Sequence, residues 1–337
     1  MKKFSILLII FVCIFSVTAC LTGCKKKNDD VIRISEVTHS VFYAPLYVAV
    51  NNGYFKDEGL EIEITNAGGS DVVMSSLISG SADVGLMGPE SVVYVRNNGM
   101  QNAPVIFAQL TACDGSFLVG RNDEGENFNW ENLKGKHIIG GRPGGMPAMT
   151  LKYILEQHGL KPGAELGDEC DTIIDTTIAF NLNVPSFLSG TGDYCTMFEP
   201  TASQCVTDNT GHIVAALGSE VSDIPYTVFT ATSNYLNKHS DKLEKFVKAL
   251  KKGYNYLMSA SDEQIIASLK PSFTTTSDNL ILTSVKNYIK IGAYADSFVL
   301  KESSWNMMLD IIANAGELKN RVDWNTAVNT SIVSNVA

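Results

Sequence analysis

Apolar and polar residues alternate along the chain with two different periods. The segments VIRISEV (31–37) and LEIEIT (60–65) are predicted strands, and the second has the two-residue period of a half-buried strand. The segment 43–55 spaces its apolar residues as a helix does and is predicted as one helix. HIIGG, GHIVAALG and PYTVFTAT are later strand candidates. Strands and helices that alternate over this length predict parallel sheets covered by helices.

Helical spacing dominates after residue 238. In KLEKFVKALKKGYNYLM (242–258) the apolar residues fall on one face and lysines on the other, which predicts an amphipathic helix packed against the protein. The residues of the apolar face are Leu243, Phe246, Val247, Leu250, Tyr254 and Leu257.

Three glycine-rich turns each join a predicted strand to a predicted helix. The turn GGRPGGMP (140–147) is the longest, and the proline at its end suits a first helical turn, where its missing N–H is not needed. The turns AGGSD (67–71), with Ser70 or Asp71 as the expected helix N-cap, and MGPES (87–91) have the same design. In α/β sheets small molecules bind at such turns, where bare N–H groups attract an anionic or carbonyl oxygen. Taken alone, the glycines fit purely structural turns equally well.

Several catalytic and nucleotide-binding motifs are absent from the sequence. Gly140 to Gly145 have the spacing of a phosphate-binding loop, but Met-Pro follows where a lysine and a hydroxyl residue are needed. No GxGxxG or GxSxG segment occurs. Arg142 and His39 can each be interpreted in two ways. Arg142 pairs with a carboxylate at the cleft or points into solvent. His39 donates to a ligand or is an ordinary surface or core residue.

The N-terminus has the layout of a bacterial export signal. Two lysines precede an uncharged apolar run that ends in small residues. The apolar run from Phe4 to Ala19 is shorter than the ~20 residues of a membrane-spanning helix, which is the alternative. LTGC resembles a lipobox, in which the cysteine, here Cys24, receives diacylglycerol after cleavage just before it. VTAC, which ends at Cys20, is the alternative site.

Composition is that of an exported globular protein. The formal net charge is −10, and removal of the two signal lysines leaves about −12, which argues against a nucleic-acid partner. The remaining length, about 310 residues, is enough for two domains with cores. Its cysteines have no CxxC spacing and no clustered histidines beside them, so we expect buried thiols, no structural metal and no cofactor, and leave disulfides open. These cysteines are Cys113, Cys170, Cys195 and Cys205.

Four segments carry a family resemblance. They are FYAPLYVAVNNGYFKDEGLEIEI (42–64), GSDVVMSSLISGSADVGLMGPES (69–91), LKGKHIIGGRPGGMPAMTLKYILEQHGLKPG (133–163) and DYCTMFEPTA (193–202). In this order they resemble the substrate-binding proteins of ABC importers, and more narrowly the nitrate/sulfonate/taurine-binding and thiamine-pyrimidine-precursor-binding family. The similarity covers most of the mature chain, and GYF-x-x-EGL and SG-x-ADV-G are specific to that family.

The resemblance implies an α/β, two-lobe periplasmic-binding-protein-like fold (type II), in which two crossover strands join the lobes and the ligand lies in the cleft between them. Applied to this chain, it implies a set of segments with defined bounds. They are a lipoprotein signal peptide over 1–23, a tether over 24–30, lobe one over 31–118 plus 226–337, and lobe two over 119–225.

The resemblance also implies the ligand contacts, which come from the loop after the first strand, the glycine turns and the crossings between lobes. The implied residues are Thr38, His39, Phe42, Tyr43, Gly69, Ser70, Gly88, Glu90, Arg142, Gly144, Gly145, Met146, Glu199 and Tyr226. The aromatic side chains among them, with Phe198, either stack on a flat organic ring or belong to the core. If the helix starts and Arg142 dominate instead, a sulfonate or carboxylate is favoured.

The expected protein is therefore a lipid-anchored, monomeric receptor outside the cytoplasm, and not an enzyme. It closes over a small organic or oxyanionic solute and delivers it to the permease and ATPase subunits of an ABC importer. Two alternatives remain: an enzyme of the same fold that acts on a pyrimidine or menaquinone precursor, and a sensor lipoprotein without a transport role. No equivalent of the cysteine-rich iron motif of the eukaryotic pyrimidine-synthesising enzymes occurs.

Overall fold

The structure is a computed structural model that describes residues 30–167 and 169–336. Its strands form two sheets. In chain order they are β1 (Val31–Glu36), β2 (Glu61–Asn66), β3 (Val84–Met87), β4 (Val105–Thr111), β5 (Ser116–Gly120), β6 (His137–Ile139), β7 (Pro162–Gly163), β8 (Thr172–Asp175), β9 (Tyr194–Phe198), β10 (His212–Ala216) and β11 (Thr227–Ala231). The six strands predicted from the sequence, with the one before the MGPES turn among them, are confirmed as β1, β2, β3, β6, β10 and β11.

Helices cover the sheets and dominate the C-terminal third. They are α1 (Ala44–Asn51), α2 (Tyr54–Asp57), α3 (Ser70–Ser79), α4 (Glu90–Asn97), α5 (Met146–Gln157), α6 (Asn183–Leu188), α7 (Thr201–Thr207), α8 (Leu217–Glu220), α9 (Ser233–Lys238), α10 (Ser240–Ser259), α11 (Asp262–Leu269), α12 (Asp278–Lys290), α13 (Glu302–Asn314), α14 (Trp324–Ala327) and α15 (Ser331–Ser334). Short 3-10 turns lie at Val41–Tyr43, Gly125–Asn127, Trp130–Leu133 and Phe180–Leu182.

The two sheets are mixed rather than parallel throughout, so the expectation of parallel sheets is wrong in part. The first sheet has the order β2-β1-β3-β11-β4, with β1 and β3 parallel but β11 antiparallel to both of its neighbours. The second has the order β10-β5-β9-β6-β8-β7, in which β5 runs antiparallel to β9 and β10. The antiparallel pairs arise because β5 and β11 each follow a crossing from the other sheet.

Each sheet with its helices forms one lobe of a two-lobe fold, and the chain crosses between the sheets twice. Residues 112–115 lead from β4 to β5, and residues 217–226 lead back from β10 to β11. The whole of β5 belongs to the second sheet. The C-terminal helices contact both lobes, because α13 packs against α5 while α10 packs against α1. The division at residues 118 and 119 stays a prediction.

The predicted helix over 43–55 is interrupted in the structure. A 3-10 turn precedes α1, and α1 and α2 are separated at Gly53, whose φ of +80° an ordinary side chain rarely adopts. The amphipathic helix predicted over 242–258 is confirmed as α10. Leu243, Phe246 and Leu250 of its predicted face are buried, whereas Tyr254 is half-buried.

The remaining predictions about the chain ends and cysteines have different outcomes. The export signal and both candidate lipidation sites, Cys24 and Cys20, lie outside the described residues. From Ile32 onward the chain forms a compact unit to which both lobes belong. Within the described part, no helix has the length and apolarity to cross a membrane. Cys113, Cys195 and Cys205 are buried free thiols and Cys170 is a half-buried one.

Candidate functional site

The glycine turn between β6 and α5 is built as the sequence predicts. β6 ends at Ile139, and α5 begins at Met146 with a proline in its first turn. Gly141 and Gly144 have φ values of +101° and +65°, where an L side chain is strained. Gly140 is needed for packing, since a Cβ there would lie 2.4 Å from a methyl carbon of Ile174.

Two helix starts of the first lobe face this turn, at the N-termini of α3 and α4. The expected N-cap at Ser70 or Asp71 is wrong, because Gly69 is the N-cap residue and Ser70 is the first helical residue. Ser70 instead lines the space between the lobes. The first lobe therefore presents helix N-termini to the turn in the second lobe.

The facing helix starts enclose a cavity of about 80 Å³. Eleven of the residues implied by the resemblance line it: Thr38, Phe42, Tyr43, Gly69, Ser70, Gly88, Glu90, Arg142, Gly145, Met146 and Tyr226. Their contact with a ligand stays a prediction. The cavity is smaller than the roughly 150 Å³ that holds a benzene molecule, so an aromatic solute requires the lobes to separate further.

Three residues of the implied set do not line the cavity. His39 turns away from it, with Nδ1 2.9 Å from Glu36 Oε1 and Nε2 2.8 Å from the Ser272 carbonyl oxygen. These contacts raise the pKa of His39, chiefly through its hydrogen bond to Glu36. His39 therefore ties the loop after β1 to the segment that follows α11.

Glu199 is committed to hydrogen bonds within the protein rather than to the cavity. Its carboxylate accepts from the backbone N–H and the hydroxyl of Ser203, at 3.0 and 2.7 Å, and from Asn287 Nδ2 at 2.6 Å. The side chain is buried. Glu199 thus fixes the start of α7 to α12.

Gly144, the third of these residues, joins the two lobes through its carbonyl group. The Tyr94 hydroxyl, from α4 of the first lobe, donates to the Gly144 oxygen at 2.8 Å. A second contact lies elsewhere along the interface, where the Ser40 hydroxyl donates to the Glu199 carbonyl oxygen at 2.8 Å. The described form is therefore one in which the lobes touch.

Removal of the Tyr94 hydroxyl is expected to shift this protein toward separated lobes. Tyr94→Phe loses one hydrogen bond worth about 0.5–1.5 kcal/mol, which corresponds to roughly a 2- to 12-fold change in the ratio of closed to open forms. Small-angle X-ray scattering is expected to show a larger radius of gyration. Tyr153→Phe, the same change on α5, is the control. Identical scattering of both variants would mean that the Tyr94 bond does not hold the lobes.

Arg142 stands between the cavity and a second, open groove on the outside of the lobe interface. It lines both spaces, and the groove also contains Asp71, Gly144 and Glu317. The Arg142 Nη1 atom lies 4.0 Å from Asp71 Oδ1, and both side chains are partly exposed. The structure therefore places its guanidinium at the rim, near a carboxylate of the other lobe, and the choice between the two sequence interpretations of Arg142 stays open.

Glu90 is the buried charged group of the cavity wall. Glu90 is 2 % exposed, and its Oε2 atom has no hydrogen-bond partner among the described residues. Burial raises the pKa of Glu90 to about 7, against the opposing influence of Arg142 and of the backbone N–H groups of Glu90 and Met146. The carboxyl group thus lies near the N-terminus of α5 in the opposite lobe.

The other cavity residues were missed by sequence reasoning or left as alternatives. Phe198, considered as a stacking residue, does line the cavity, and its ring centroid is 5.8 Å from that of Phe42. Gly68 and Pro147 lie within the predicted turns, and the argument from the turns could have included them. Phe180 lies in a 3-10 turn with no sequence signal. The remaining members are Val37 and Thr227.

A second buried acid lies where the two crossings meet. Asp114 is fully buried, and its Oδ1 accepts from the Ser116 N–H at 2.7 Å and hydroxyl at 2.6 Å. Burial raises the pKa of Asp114 to about 7, with an opposing influence from the hydroxyls of Ser116 and Tyr226. Neither Asp114 Oδ2 nor the Tyr226 hydroxyl completes a hydrogen bond in the described residues. Tyr226 faces Asp114 of the crossing and also lines the cavity.

No cluster of three or more histidine, cysteine or acidic residues that could hold a metal ion occurs among the residues that the structure describes. The cavity offers backbone N–H groups, one buried carboxyl group and aromatic rings. This set can bind and orient a small molecule.

Comparison with known proteins agrees with this architecture. YtlA of Bacillus subtilis (strain 168), whose name assigns it provisionally as a binding protein, is 39% identical over 329 residues, which are 97% of this chain and 96% of YtlA. The alkanesulfonate-binding protein SsuA of Xanthomonas axonopodis, solved with bound MOPS, superposes with a TM-score of 0.69 at 14% identity, over 90% of this chain and 99% of SsuA.

A more distant relative carries an enzyme name. The Saccharomyces cerevisiae 4-amino-5-hydroxymethyl-2-methylpyrimidine phosphate synthase THI11 is 23% identical over 247 residues, which are 69% of this chain and 68% of the yeast protein. The sequence profile described as NMT1/THI5 like matches residues 41–264. The chain accordingly belongs to the NMT1/THI5-like family.

Proposed function

We propose that this protein is the solute-binding component of an ABC importer, located outside the cytoplasm, which closes its lobes over one small organic or oxyanionic solute and delivers it to the permease. The observation that supports this most is the cavity, whose wall is shared by helix starts of both lobes. A solute in this position contacts both lobes only when they are closed, so its binding energy favours the closed form. The permease then distinguishes the closed form from the open one.

The proposal is tested by isolating the natural solute. Protein purified from its native source is denatured, and the released small molecule is identified by mass spectrometry. On re-addition at 100 times its dissociation constant, that molecule is expected to stabilise the protein by about 2.7 kcal/mol and to reduce its radius of gyration. Recovery of the solute chemically unchanged after incubation supports a receptor. Its conversion would establish the alternative of an enzyme with the same fold, and the lack of any solute-dependent closure would refute the proposal.

We also propose that the chain is a monomer tied to the membrane through a lipid on Cys24. The lysines that follow this cysteine would lie near anionic head groups, where each adds about 1 kcal/mol of attraction. This arrangement would keep the receptor close to its permease.

Cys24→Ala is expected to leave the precursor uncleaved and without lipid, because the lipobox cysteine is the group that is modified. Metabolic labelling with a radioactive fatty acid, followed by electrophoresis, measures both properties. Cys20→Ala is the matched control and is expected to be processed normally. Labelling that persists in Cys24→Ala but is lost in Cys20→Ala would move the anchor to Cys20.

A further inference from the structure

The negative charge of the cavity lies in its interior. The carboxyl group of Glu90 is almost completely buried, and Oε2 lacks a hydrogen-bond partner among the described residues. A buried carboxylate oxygen that lacks a hydrogen bond is energetically costly. A cationic N–H group placed against it would supply a charge-assisted hydrogen bond, which is stronger than a neutral one.

The carboxyl group of Glu90 faces the N-terminus of α5, where a ligand oxyanion is expected. The Met146 N–H at the beginning of α5 lies close enough to Glu90 to lower its pKa. The glycine at position 88 permits this placement, because a Cβ there would be 2.1 Å from Glu90 Oε2 and 2.5 Å from Oε1. The carboxyl group folds back over Gly88, and an anionic solute group at Met146 would meet a like charge.

Arg142 does not make the charge inside the cavity positive. Its guanidinium is directed to the rim, 4.0 Å from Asp71 Oδ1, and the two side chains are 37% and 75% exposed. A charge in contact with water and with a carboxylate is screened much more than a buried one. Arg142 therefore acts on Glu90 from the rim, where Asp71 also faces it, and it leaves Glu90 Oε2 without a hydrogen bond.

The aromatic wall suits a cation as well. The ring centroids of Phe42, Phe198 and Tyr226 lie 5.8 to 6.2 Å from one another, and all three residues line the cavity. A ring face attracts a cation within about 6 Å of its centroid, and the attraction is larger where water is excluded. Rings and a carboxylate in one cavity thus favour the same kind of solute.

We infer that the site selects a compact organic cation, such as an amine, amidine or guanidine, whose nitrogen donates to Glu90. This inference rests on the proposed function, since it specifies the chemistry of the solute held in the same cavity. It departs from the oxyanion that the glycine turns alone suggest.

Two pairs of probes with matched shape and opposite charge test the inference. Guanidinium and nitrate are both planar and trigonal, and acetamidinium and acetate have the same shape with opposite charge. Dissociation constants are measured by calorimetry on the full-length protein in detergent, at constant ionic strength. Each cation is expected to bind at least about tenfold more tightly than its anionic partner, as one good charge-assisted bond provides. Tighter binding of either anion, or no binding of both cations, would overturn the inference.

The Glu90→Gln variant assigns the selectivity to this residue. It keeps the side-chain shape and removes the charge, so cation affinity is expected to fall at least about tenfold. Glu317→Gln, the same change in the outer groove, is the control and is expected to bind as the parent does. Equal cation affinity of Glu90→Gln and the parent would overturn the assignment, and the probe pairs test the inference without any variant.

The pH dependence separates a charged Glu90 from a protonated one. Because the pKa of Glu90 is about 7, cation affinity is expected to rise between about pH 6 and about pH 8 as the carboxyl group ionises. The other groups that face Glu90 are Arg142, Tyr43, Tyr94 and Tyr226, and burial raises the pKa values of the three tyrosines. Affinity that falls over this range would overturn the inference. A natural solute recovered as an anion would do so too, while it left the proposed receptor function intact.

Discussion

Asp114→Asn is expected to remove a large part of the pH dependence of the free energy of unfolding, and to make the protein more stable than the parent above neutral pH. Asp114 is fully buried, and its pKa is raised from 3.8 to about 7. The protonated form is therefore favoured in the folded protein. Its contribution to stability is complete below the unfolded pKa and is lost as the pH rises through about 7.

The size of the expected change in the free energy of unfolding follows from the pKa shift of Asp114. At about 1.36 kcal/mol per pKa unit, ionisation of Asp114 costs the parent up to about 4 kcal/mol between about pH 4 and about pH 8. An asparagine in this position keeps the acceptor oxygen for the Ser116 N–H and hydroxyl but carries no charge. Urea unfolding at a series of pH values measures the difference between variant and parent. Asp71→Asn, whose side chain is 75% exposed, is the control. Parallel stability curves for Asp114→Asn and the parent would contradict the prediction.

Gly253→Ala is expected to destabilise the protein, although alanine is the better helix former. Gly253 lies inside α10, where the exchange gains about 1 kcal/mol of helix propensity at an exposed position. Here a Cβ would lie 2.3 Å from the Pro45 carbonyl oxygen and 3.0 Å from the Ala49 backbone nitrogen of α1. Backbone atoms cannot turn away as a side chain can, so α10 and α1 must separate, and overpacking of this kind costs about 1–3 kcal/mol.

The steric cost is therefore expected to exceed the gain in propensity. Thermal and urea unfolding measure the net change, which we expect as a lower melting temperature for Gly253→Ala. Gly167→Ala is the matched control, because a Cβ at Gly167 has nothing within 4 Å and its φ is not positive. A Gly253→Ala protein as stable as the parent would show that the helices adjust without cost.

The sequence predicts the site where the relevant physics is local. A glycine turn that leads into a helix is recognisable from its own residues, and the turns before α3, α4 and α5 do meet at the cavity. The helix over 43–55 was predicted to be continuous, although the structure interrupts it at Gly53, because the apolar spacing continues across this glycine. Strand β5 and the antiparallel direction of β11 were missed, since strand direction depends on where the chain crosses between sheets and no periodicity records it.

The chemistry of the cavity depended on distant contacts that the sequence does not contain. His39 and Glu199 were implied as ligand residues, yet each binds groups far along the chain, at Ser272 and Asn287. Glu90 was expected in the site, but the position of its carboxyl group over Gly88 and toward Met146 follows only from the closure of two lobes. The sequence left an organic ring and an anion open as the solute, because the burial of this acid cannot be read from the sequence.

The position of Arg142 has a kinetic consequence. Its side chain separates the enclosed space from the outer groove, so a molecule that leaves by this edge must first part the guanidinium from Asp71. Mobile ions weaken exposed charge pairs of this kind, with a screening length of about 8 Å at physiological ionic strength. For the proposed receptor, we therefore expect the residence time of a bound solute to shorten as the ionic strength rises.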